Sequence, residues 1–147
     1  MDNDFIKTEV SKIFDEIIKI RREIHMNPEL GFEETETSQK IKNILTEYGI
    51  KTQTAAGTGI AGILENGSGT VAASRADIDA LPITEENEVG YKSKTAGKMH
   101  ACGHDVHTAI QLGAAKFFAE NRDKWKGTIK FIFQPAEETT GGAKPMI

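Results

Sequence analysis

The segment TIKFIFQPAEE, residues 128–138, decides the fold class of this 147-residue chain. Apart from one lysine, its first six residues are β-branched or aromatic, which is typical of a strand inside a sheet. Pro135 ends the predicted strand, and two adjacent acids, Glu137 and Glu138, follow it. The sequence therefore predicts a buried strand whose carboxyl end carries acidic side chains.

The remaining elements follow from hydrophobic periodicity and turn signals. Apolar residues at three- and four-residue steps predict three helices, at residues 3–25, 35–48 and 106–121. Short strands are expected at residues 50–54, 60–65 and 70–75. Asn66-Gly67-Ser68-Gly69 predicts a hairpin turn between the last two strands, and Ile110 is expected on the buried face of the third helix. This order of elements predicts an α/β or α+β sandwich with helices packed on a sheet.

Composition and charge limit the class of protein. The net charge of −4 argues against a nucleic-acid binder that uses a basic face. No apolar run approaches the roughly 20 residues that cross a bilayer, and the acidic N-terminus lacks the features of a signal peptide. The single cysteine, Cys102, excludes an intramolecular disulfide framework. We therefore expect a soluble, cytoplasmic protein with no nucleic-acid or membrane partner.

Residue types that bind metals cluster around this cysteine. The segment HACGHDVH, residues 100–107, contains three of the four histidines of the chain. Gly103 separates Cys102 from His104 and allows the backbone to turn, so that thiolate and imidazole can face one point. Asp105 can orient a histidine by accepting its free N–H. The cluster favours a site for zinc or a similar ion; the alternative is a packed cysteine beside exposed histidines.

Two acidic segments complete the candidate chemistry. In an extended stretch, the side chains of Glu137 and Glu138 are expected to point in opposite directions. One can then bind a metal while the other takes a proton from water; the alternative is a pair of solvated surface acids. In the segment RADIDALP, residues 75–82, either Asp77 or Asp79 can hold a ligand histidine in its correct tautomer, or simply cap the loop.

Four segments in order carry a resemblance that runs nearly the whole length of the chain. They are HMNPELGFEE at 25–34, RADIDALP at 75–82, MHACGHDVHT at 99–108 and FQPAEE at 133–138. Together they resemble the N-acyl-amino-acid amidohydrolases, a group of two-metal peptidases that includes aminoacylases, hippurate hydrolases, auxin-conjugate hydrolases and N-acetyldiaminopimelate deacetylases. The resemblance implies a zinc-exopeptidase-like α/β domain, a three-layer sandwich of helices on a mixed sheet.

The same resemblance implies roles for five side chains. Cys102, His104 and Glu138 match metal ligands, and the Cys102 thiolate is expected to bridge two ions. Glu137 matches the general base that activates water, and Asp77 resembles an aspartate that supports the site. The complete site would hold two divalent ions, which could be zinc, manganese, cobalt or nickel. The implied reaction is the hydrolysis of an N-acyl amino acid or a dipeptide-like amide.

The length departs from the resemblance, because members of the group are more than twice as long. Residues 1–147 are interpreted as the N-terminal part of the catalytic domain, with the dimerisation domain and the C-terminal part absent. Residues 141–147 are predicted to begin a further helix. The chain alone is expected to be inactive or nearly so, since three ligands are few for two ions. The parent enzyme is expected to be a homodimer or homotetramer. His25 and His107 lie in the motifs but are assigned no metal.

Two other interpretations remain open at the level of sequence. The chain could be a non-catalytic metal-binding fragment or an interaction module with the same fold. Activity with and without added Mn²⁺ or Zn²⁺ separates this interpretation from the enzymatic one. Alternatively, Cys102 could be the nucleophile of a cysteine hydrolase, with a histidine as base. That enzyme would be inactivated by thiol alkylation and indifferent to chelators.

Overall fold

The computed structural model describes residues 1–139 and 141–147. The helices in this part of the chain are α1 (Asn3–Met26), α2 (Thr35–Glu47) and α3 (His104–Glu120). The strands are β1 (Lys51–Ala55), β2 (Gly59–Asn66), β3 (Val71–Asp77) and β4 (Gly127–Gln134). Each lies within two residues of its predicted bounds. The helix predicted to begin in residues 141–147 is instead a single 3-10 turn at Lys144–Met146.

The sheet is mixed, with the strand order β1-β2-β4-β3. β2 pairs antiparallel with both β1 and β4, whereas β3 runs parallel to β4. β4 therefore has a neighbour on each side, which confirms the interior position predicted from TIKFIF. Its two phenylalanines, Phe131 and Phe133, are fully buried. Burial of side chains of this size contributes about 1.5–3 kcal/mol each to folding.

The predicted hairpin between the second and third strands is wrong, because β4 lies between β2 and β3. The Asn66–Gly69 segment does turn the chain, with Gly67 and Gly69 at positive φ. A turn sequence fixes only this change of direction and leaves the pairing partner open. Burial decides the partner here: β4 carries two phenylalanines into the core, whereas residues 71–75 of β3 are exposed at the sheet edge.

The helices cover one face of this sheet. α2 packs on β1 and β2, α3 packs on β3 and β4, α2 and α3 contact each other, and α1 packs along α3. The core contains buried residues from every helix and three of the strands: Ile20, Ile24, Ile41, Leu45, Ile60, Leu64, Ala76, Leu112, Phe131 and Phe133. The predicted α/β arrangement of helices on a mixed sheet is confirmed. The described residues supply the sheet and one helical layer of the expected sandwich.

Helix α3 differs from its prediction in two respects. It begins at His104 rather than at residue 106, so that His104 and Asp105 belong to its first turn. Ile110, which was expected to be buried, is 63% exposed. The helix instead contacts α1 at Gly113 and the sheet at Leu112, and Ile110 lies outside both contacts. None of the helices in the described residues has the length and apolar character needed to cross a bilayer.

Candidate metal centre

The candidate segments meet where β3 and β4 end. These strands are parallel, and Asp77 and Gln134 are partners at their carboxyl ends. The chain continues beyond this point with the N–H of Ile78 donating to the Gln134 carbonyl at 3.0 Å. The first turn of α3 arrives at the same edge, so residues distant in sequence become neighbours. This edge is where ligands bind in open α/β sheets.

His104 lies at the centre of the site, and its side chain is only 5% exposed. Its Nδ1 is 2.9 Å from the Asp79 carbonyl oxygen and 3.1 Å from Asp79 Oδ1. Because both neighbours are acceptors, Nδ1 carries the proton and donates to Asp79. The other ring nitrogen, Nε2, is 3.8 Å from Glu138 Oε1 and 3.9 Å from Glu137 Oε2. When the ring is neutral, Nε2 is therefore the unprotonated nitrogen and faces two carboxylates, as in a histidine ligand.

Glu137 and Glu138 approach the same histidine, contrary to the expectation that they point in opposite directions. That expectation assumed an extended backbone, but the chain turns directly after β4. Ala136 has a φ of +50°, and residues 137–139 form a turn. The Glu137 side chain is 41% exposed and that of Glu138 is 21% exposed. Both acids therefore contribute to one site, with Glu137 the more accessible to solvent.

This donor set fits a divalent ion. One ligand atom each of His104, Glu137 and Glu138 lies within 4.8 Å of the others. Two ligands bound about 2.1 Å from a tetrahedral ion are about 3.4 Å apart, which is close to the separations measured from His104 Nε2. An imidazole nitrogen and carboxylate oxygens are suitable donors for zinc, manganese, cobalt and nickel. These three residues could hold one ion after small side-chain movements.

Cys102 is exposed and lies beside these acids. Hydrogen bonding to Glu138 raises the pKa of the Cys102 thiol, and the charges of Glu138, Glu137 and Asp79 act in the same direction. A bound divalent cation reverses this preference, because it stabilises the thiolate. Among the described residues, the Cys102 sulfur is not part of a group of three ligand atoms that all lie within 4.8 Å of one another.

The environment of the thiol argues against the cysteine-hydrolase interpretation, because a nucleophilic cysteine requires a lowered pKa. Neighbouring carboxylates have the opposite effect on Cys102. The following residue, Gly103, has a φ of +82° and caps the N-terminus of α3. The predicted sharp turn between Cys102 and His104 is confirmed. The positive φ of Gly103 is strained for a residue with a Cβ, so the position favours glycine. Crowding is not the cause, because a Cβ here would meet no atom within 4 Å.

Asp79 is the aspartate that contacts His104. It is 1% exposed, and its Oδ2 accepts a hydrogen bond from the Glu138 backbone N–H at 2.9 Å. Burial opposes ionisation, but hydrogen bonds from His104 and the backbone of Glu138 and Glu137 outweigh burial and lower the pKa of Asp79. Burial likewise opposes the charged form of His104, but Asp79 outweighs it and raises the pKa of His104. One buried carboxylate therefore orients the histidine and ties it to the acidic turn.

Asp77, for which the resemblance implied a supporting role, has different neighbours. Its Oδ1 is 2.8 Å from Arg75 Nη1, and its Oδ2 is 4.0 Å from His107 Nδ1. Ligand atoms of Asp77, His104 and His107 form a second group within 4.8 Å of one another. No metal was assigned to His107 from the sequence. The signal that points to it is its three-residue spacing from His104, which places both on one face of α3.

A charged network lies behind the site, in which Asp105, expected to orient a histidine of its own segment, instead contacts His25 of α1. The contacts that Arg21 and Glu85 make in this network were not predicted from the sequence. His25 of α1 is 3% exposed, with Nδ1 2.7 Å from Asp105 Oδ2 and Nε2 3.1 Å from Glu85 Oε1. Arg21 Nε is also 2.7 Å from Asp105 Oδ2. His100 is buried near His25, with ring centroids 6.5 Å apart, and burial lowers its pKa to about 4. Asp105 therefore links the first turn of α3 to α1, and His100 lies beside this network with neither ring nitrogen hydrogen-bonded to a described residue.

Comparisons with known proteins match the same segments. A profile of the Peptidase family M20/M25/M40 matches residues 73–147. IAA-amino acid hydrolase ILR1-like 2 of Arabidopsis thaliana is 54% identical over 92% of this chain and 31% of its own length. N-acetyl-L-cysteine deacetylase of Bacillus subtilis is 50% identical over 94% of this chain and 34% of its own length.

A solved structure has the same architecture. The YXEP protein of Bacillus subtilis, described as a dinuclear metal binding peptidase, superposes with a TM-score of 0.80 at 44% identity. The alignment covers 90% of this chain and 37% of that protein. The chain thus spans about a third of the length of the relatives it matches.

Proposed function

Since the chain belongs to the Peptidase family M20/M25/M40, we propose that it supplies part of the active site of a metal-dependent hydrolase that cleaves N-acyl amino acids or similar small amides. One observation carries the proposal: His104, Glu137 and Glu138 converge at the ends of two parallel strands. The substrate class is supported by two relatives, one named for hydrolysing an amino acid conjugate and one for deacetylating N-acetyl-L-cysteine.

In this proposal, His104 Nε2 and Glu138 hold one divalent ion. Cys102, at the rim beside Glu138, would join them as a thiolate ligand in the complete two-ion site. A bound ion polarises the amide carbonyl and lowers the pKa of water. Zinc, manganese, cobalt and nickel all suit this donor set. The description of the YXEP protein as a dinuclear metal binding peptidase supports the count of two ions.

Glu137 is the proposed general base. Its carboxylate is the more exposed of the pair and lies 3.9 Å from His104 Nε2, next to the proposed ligands. From there it can take a proton from water and deliver it to the leaving amine nitrogen. Asp79 is the proposed positioning residue, because its carboxylate accepts the hydrogen bond from Nδ1–H and so keeps Nε2 available as a ligand.

We further propose that residues 1–147 form the N-terminal part of a larger catalytic domain. The share of the relatives that the chain spans supports this proposal. The sheet also supports it, since the face opposite the helices carries Val71, 61% exposed, with Ile63 and Ile132 only partly buried. A third layer would cover these side chains. The dimerisation domain, the homodimer or homotetramer and the cytoplasmic location stay predictions.

Metal titration and hydrolysis assays test the proposal together. We expect the 147-residue chain to bind Zn²⁺ or Mn²⁺ and to hydrolyse N-acetyl amino acids poorly or not at all. The protein encoded by the complete reading frame should hydrolyse them and lose activity with a chelator. Glu137→Gln in that protein should abolish turnover and retain bound metal. Family-level turnover by the chain alone would refute the N-terminal interpretation, and chelator-insensitive turnover would refute the metal site.

A further inference from the structure

The segment Glu29–Glu34, which we call the clasp, belongs to the first motif segment and has no part in the proposed chemistry. It nevertheless contacts the loop that carries Asp79. The N–H of Ala80 donates to the Glu29 carbonyl at 2.8 Å, and Leu30 forms an isolated parallel bridge with Ala80. The Glu29 carboxylate accepts hydrogen bonds from the first turn of α2, including one from the Thr37 N–H at 2.8 Å. One end of the clasp is thereby fixed to both a helix and the site loop.

The other end of the clasp contacts the acidic turn through Glu34, which is completely buried. Glu34 Oε1 accepts a hydrogen bond from the Ala136 N–H at 2.9 Å, and Oε2 accepts one from the Thr58 hydroxyl at 2.6 Å. Ala136 is the residue directly before Glu137, and its φ of +50° is unfavourable for a residue with a Cβ. Glu34 therefore bonds to a backbone position with a left-handed conformation that lies directly before the two acids near His104.

Close packing adds to this hydrogen bond. A Cβ at Gly31 would lie 2.6 Å from Thr139 Oγ1 and 2.9 Å from the Ala136 Cα. Even the smallest side chain at Gly31 would displace the turn. The clasp backbone thus lies directly against the backbone that carries Glu137 and Glu138, and glycine is the residue that allows this approach.

We propose that the clasp is a positioning element, in which Glu34 and Gly31 hold the Ala136 turn so that Glu137 and Glu138 face His104. The role rests on the proposed function, since it concerns the placement of the proposed ligand and base. Burial raises the pKa of Glu34, and the hydrogen bonds from Thr58 and Ala136 oppose this effect. Burial thus disfavours the charged form of Glu34. The hydrogen bond that its Oε1 accepts from the Ala136 N–H gives a reason for an acid at this buried position.

Three variants of the 147-residue chain test the proposal. Glu34→Met removes both acceptors at similar size, whereas Glu34→Gln keeps a carbonyl oxygen for the Ala136 N–H. Glu33→Met is the matched control, because its carboxylate is 61% exposed and pairs with Lys98 at the surface. The readouts are hydrogen exchange of the Ala136 amide, Zn²⁺ affinity by calorimetry and the melting temperature of the metal-free chain.

We expect Glu34→Met to accelerate exchange at Ala136 by at least about tenfold, and to weaken Zn²⁺ binding about 10- to 100-fold, as loss of a supporting interaction does. Glu34→Gln and Glu33→Met should stay within about threefold of the wild type in both measurements. Unchanged exchange at Ala136 in Glu34→Met would overturn the proposal. So would equal losses in Glu34→Gln and Glu34→Met, because the charge rather than the acceptor would then be responsible.

Gly31→Ala keeps the proposal testable if Glu34→Met fails to fold. It leaves Glu34 intact and displaces the turn directly, so we expect faster exchange from Ala136 to Thr139 and the same loss of Zn²⁺ affinity. Unaltered exchange and affinity in a folded Gly31→Ala chain would count against the clasp. If the wild-type chain binds no metal, the expectation that its own residues hold an ion fails. Exchange at Ala136 then still decides whether the clasp holds the turn.

Discussion

Replacing Asp79 by asparagine tests the geometry on which the site depends. Asp79 accepts two hydrogen bonds with different oxygens, from His104 Nδ1 at 3.1 Å and from the Glu138 N–H at 2.9 Å. An asparagine has one carbonyl oxygen, and its amide group is a donor that cannot accept the second bond. In Asp79→Asn, one buried donor therefore loses this partner.

The size of the effect follows from these bonds. A hydrogen bond to a charged group contributes about 1.5–3 kcal/mol, and a buried donor without a partner costs about 1–3 kcal/mol. We therefore expect Asp79→Asn to destabilise the metal-free chain by about 2 kcal/mol in urea unfolding. Zn²⁺ affinity should fall about 10- to 100-fold, because asparagine leaves either His104 Nδ1 or the Glu138 N–H without the side-chain acceptor that holds these two groups in position.

Asp77→Asn is the matched comparison, since Asp77 contacts Arg75 and His107 rather than the Nδ1 of His104. Calorimetric titration of both variants with Zn²⁺, after each is shown to be folded by circular dichroism, separates the two aspartates. The larger loss should occur in Asp79→Asn. If Asp77→Asn weakens binding more, the supporting aspartate is Asp77, as the family resemblance implied, and the reasoning from hydrogen bonds is refuted.

Three further predictions concern the thiol and two buried acids. Cys102→Ala should lower Zn²⁺ affinity in calorimetry; unchanged binding would remove Cys102 from the proposed ligands. Glu85→Gln should cost about 1.5–3 kcal/mol at pH 7 in urea unfolding, because Glu85 accepts hydrogen bonds from Ser93 and His25. Burial opposes the charge of Glu85, but those bonds lower its pKa below 4.5. The folding stability that the ionised Glu85 contributes should therefore be lost as pH falls through this lowered pKa. A constant difference from pH 7 to pH 3 would contradict this. Burial raises the pKa of Glu34, so wild-type stability relative to Glu34→Gln should fall as pH rises above about 4.5 in urea unfolding. A relative stability that rises with pH would exclude the raised pKa.

The elements of the fold were predictable because each has a local cause. Apolar spacing marked the three helices, and TIKFIF marked an interior strand, whose two phenylalanines are indeed fully buried. The pairing of strands was not local. The Asn-Gly turn after β2 is compatible with a hairpin of β2 and β3. These strands do not pair because β4 takes the buried position beside β2.

The site was predictable to the level of its residue types and no further. The cluster around Cys102 and the two glutamates identified the donors, but their directions depend on backbone angles. The positive φ of Ala136 brings Glu137 and Glu138 to the same side, and nothing in the alanine itself predicts it. The choice between Asp77 and Asp79 likewise required the position of His104, 25 residues beyond Asp79.

The place of β4 in the sheet has a consequence for the order of events during synthesis. β4 is the last strand of the described chain, yet it lies between β2 and β3, which are complete some fifty residues earlier. A nascent chain on the ribosome therefore holds two strands that cannot join each other in their final arrangement until residues 127–134 emerge. The acidic turn follows directly, so the β2-β4-β3 part of the sheet and the cluster of donors are expected to form in one late step, which leaves an extended interval in which chaperones can bind the open edges.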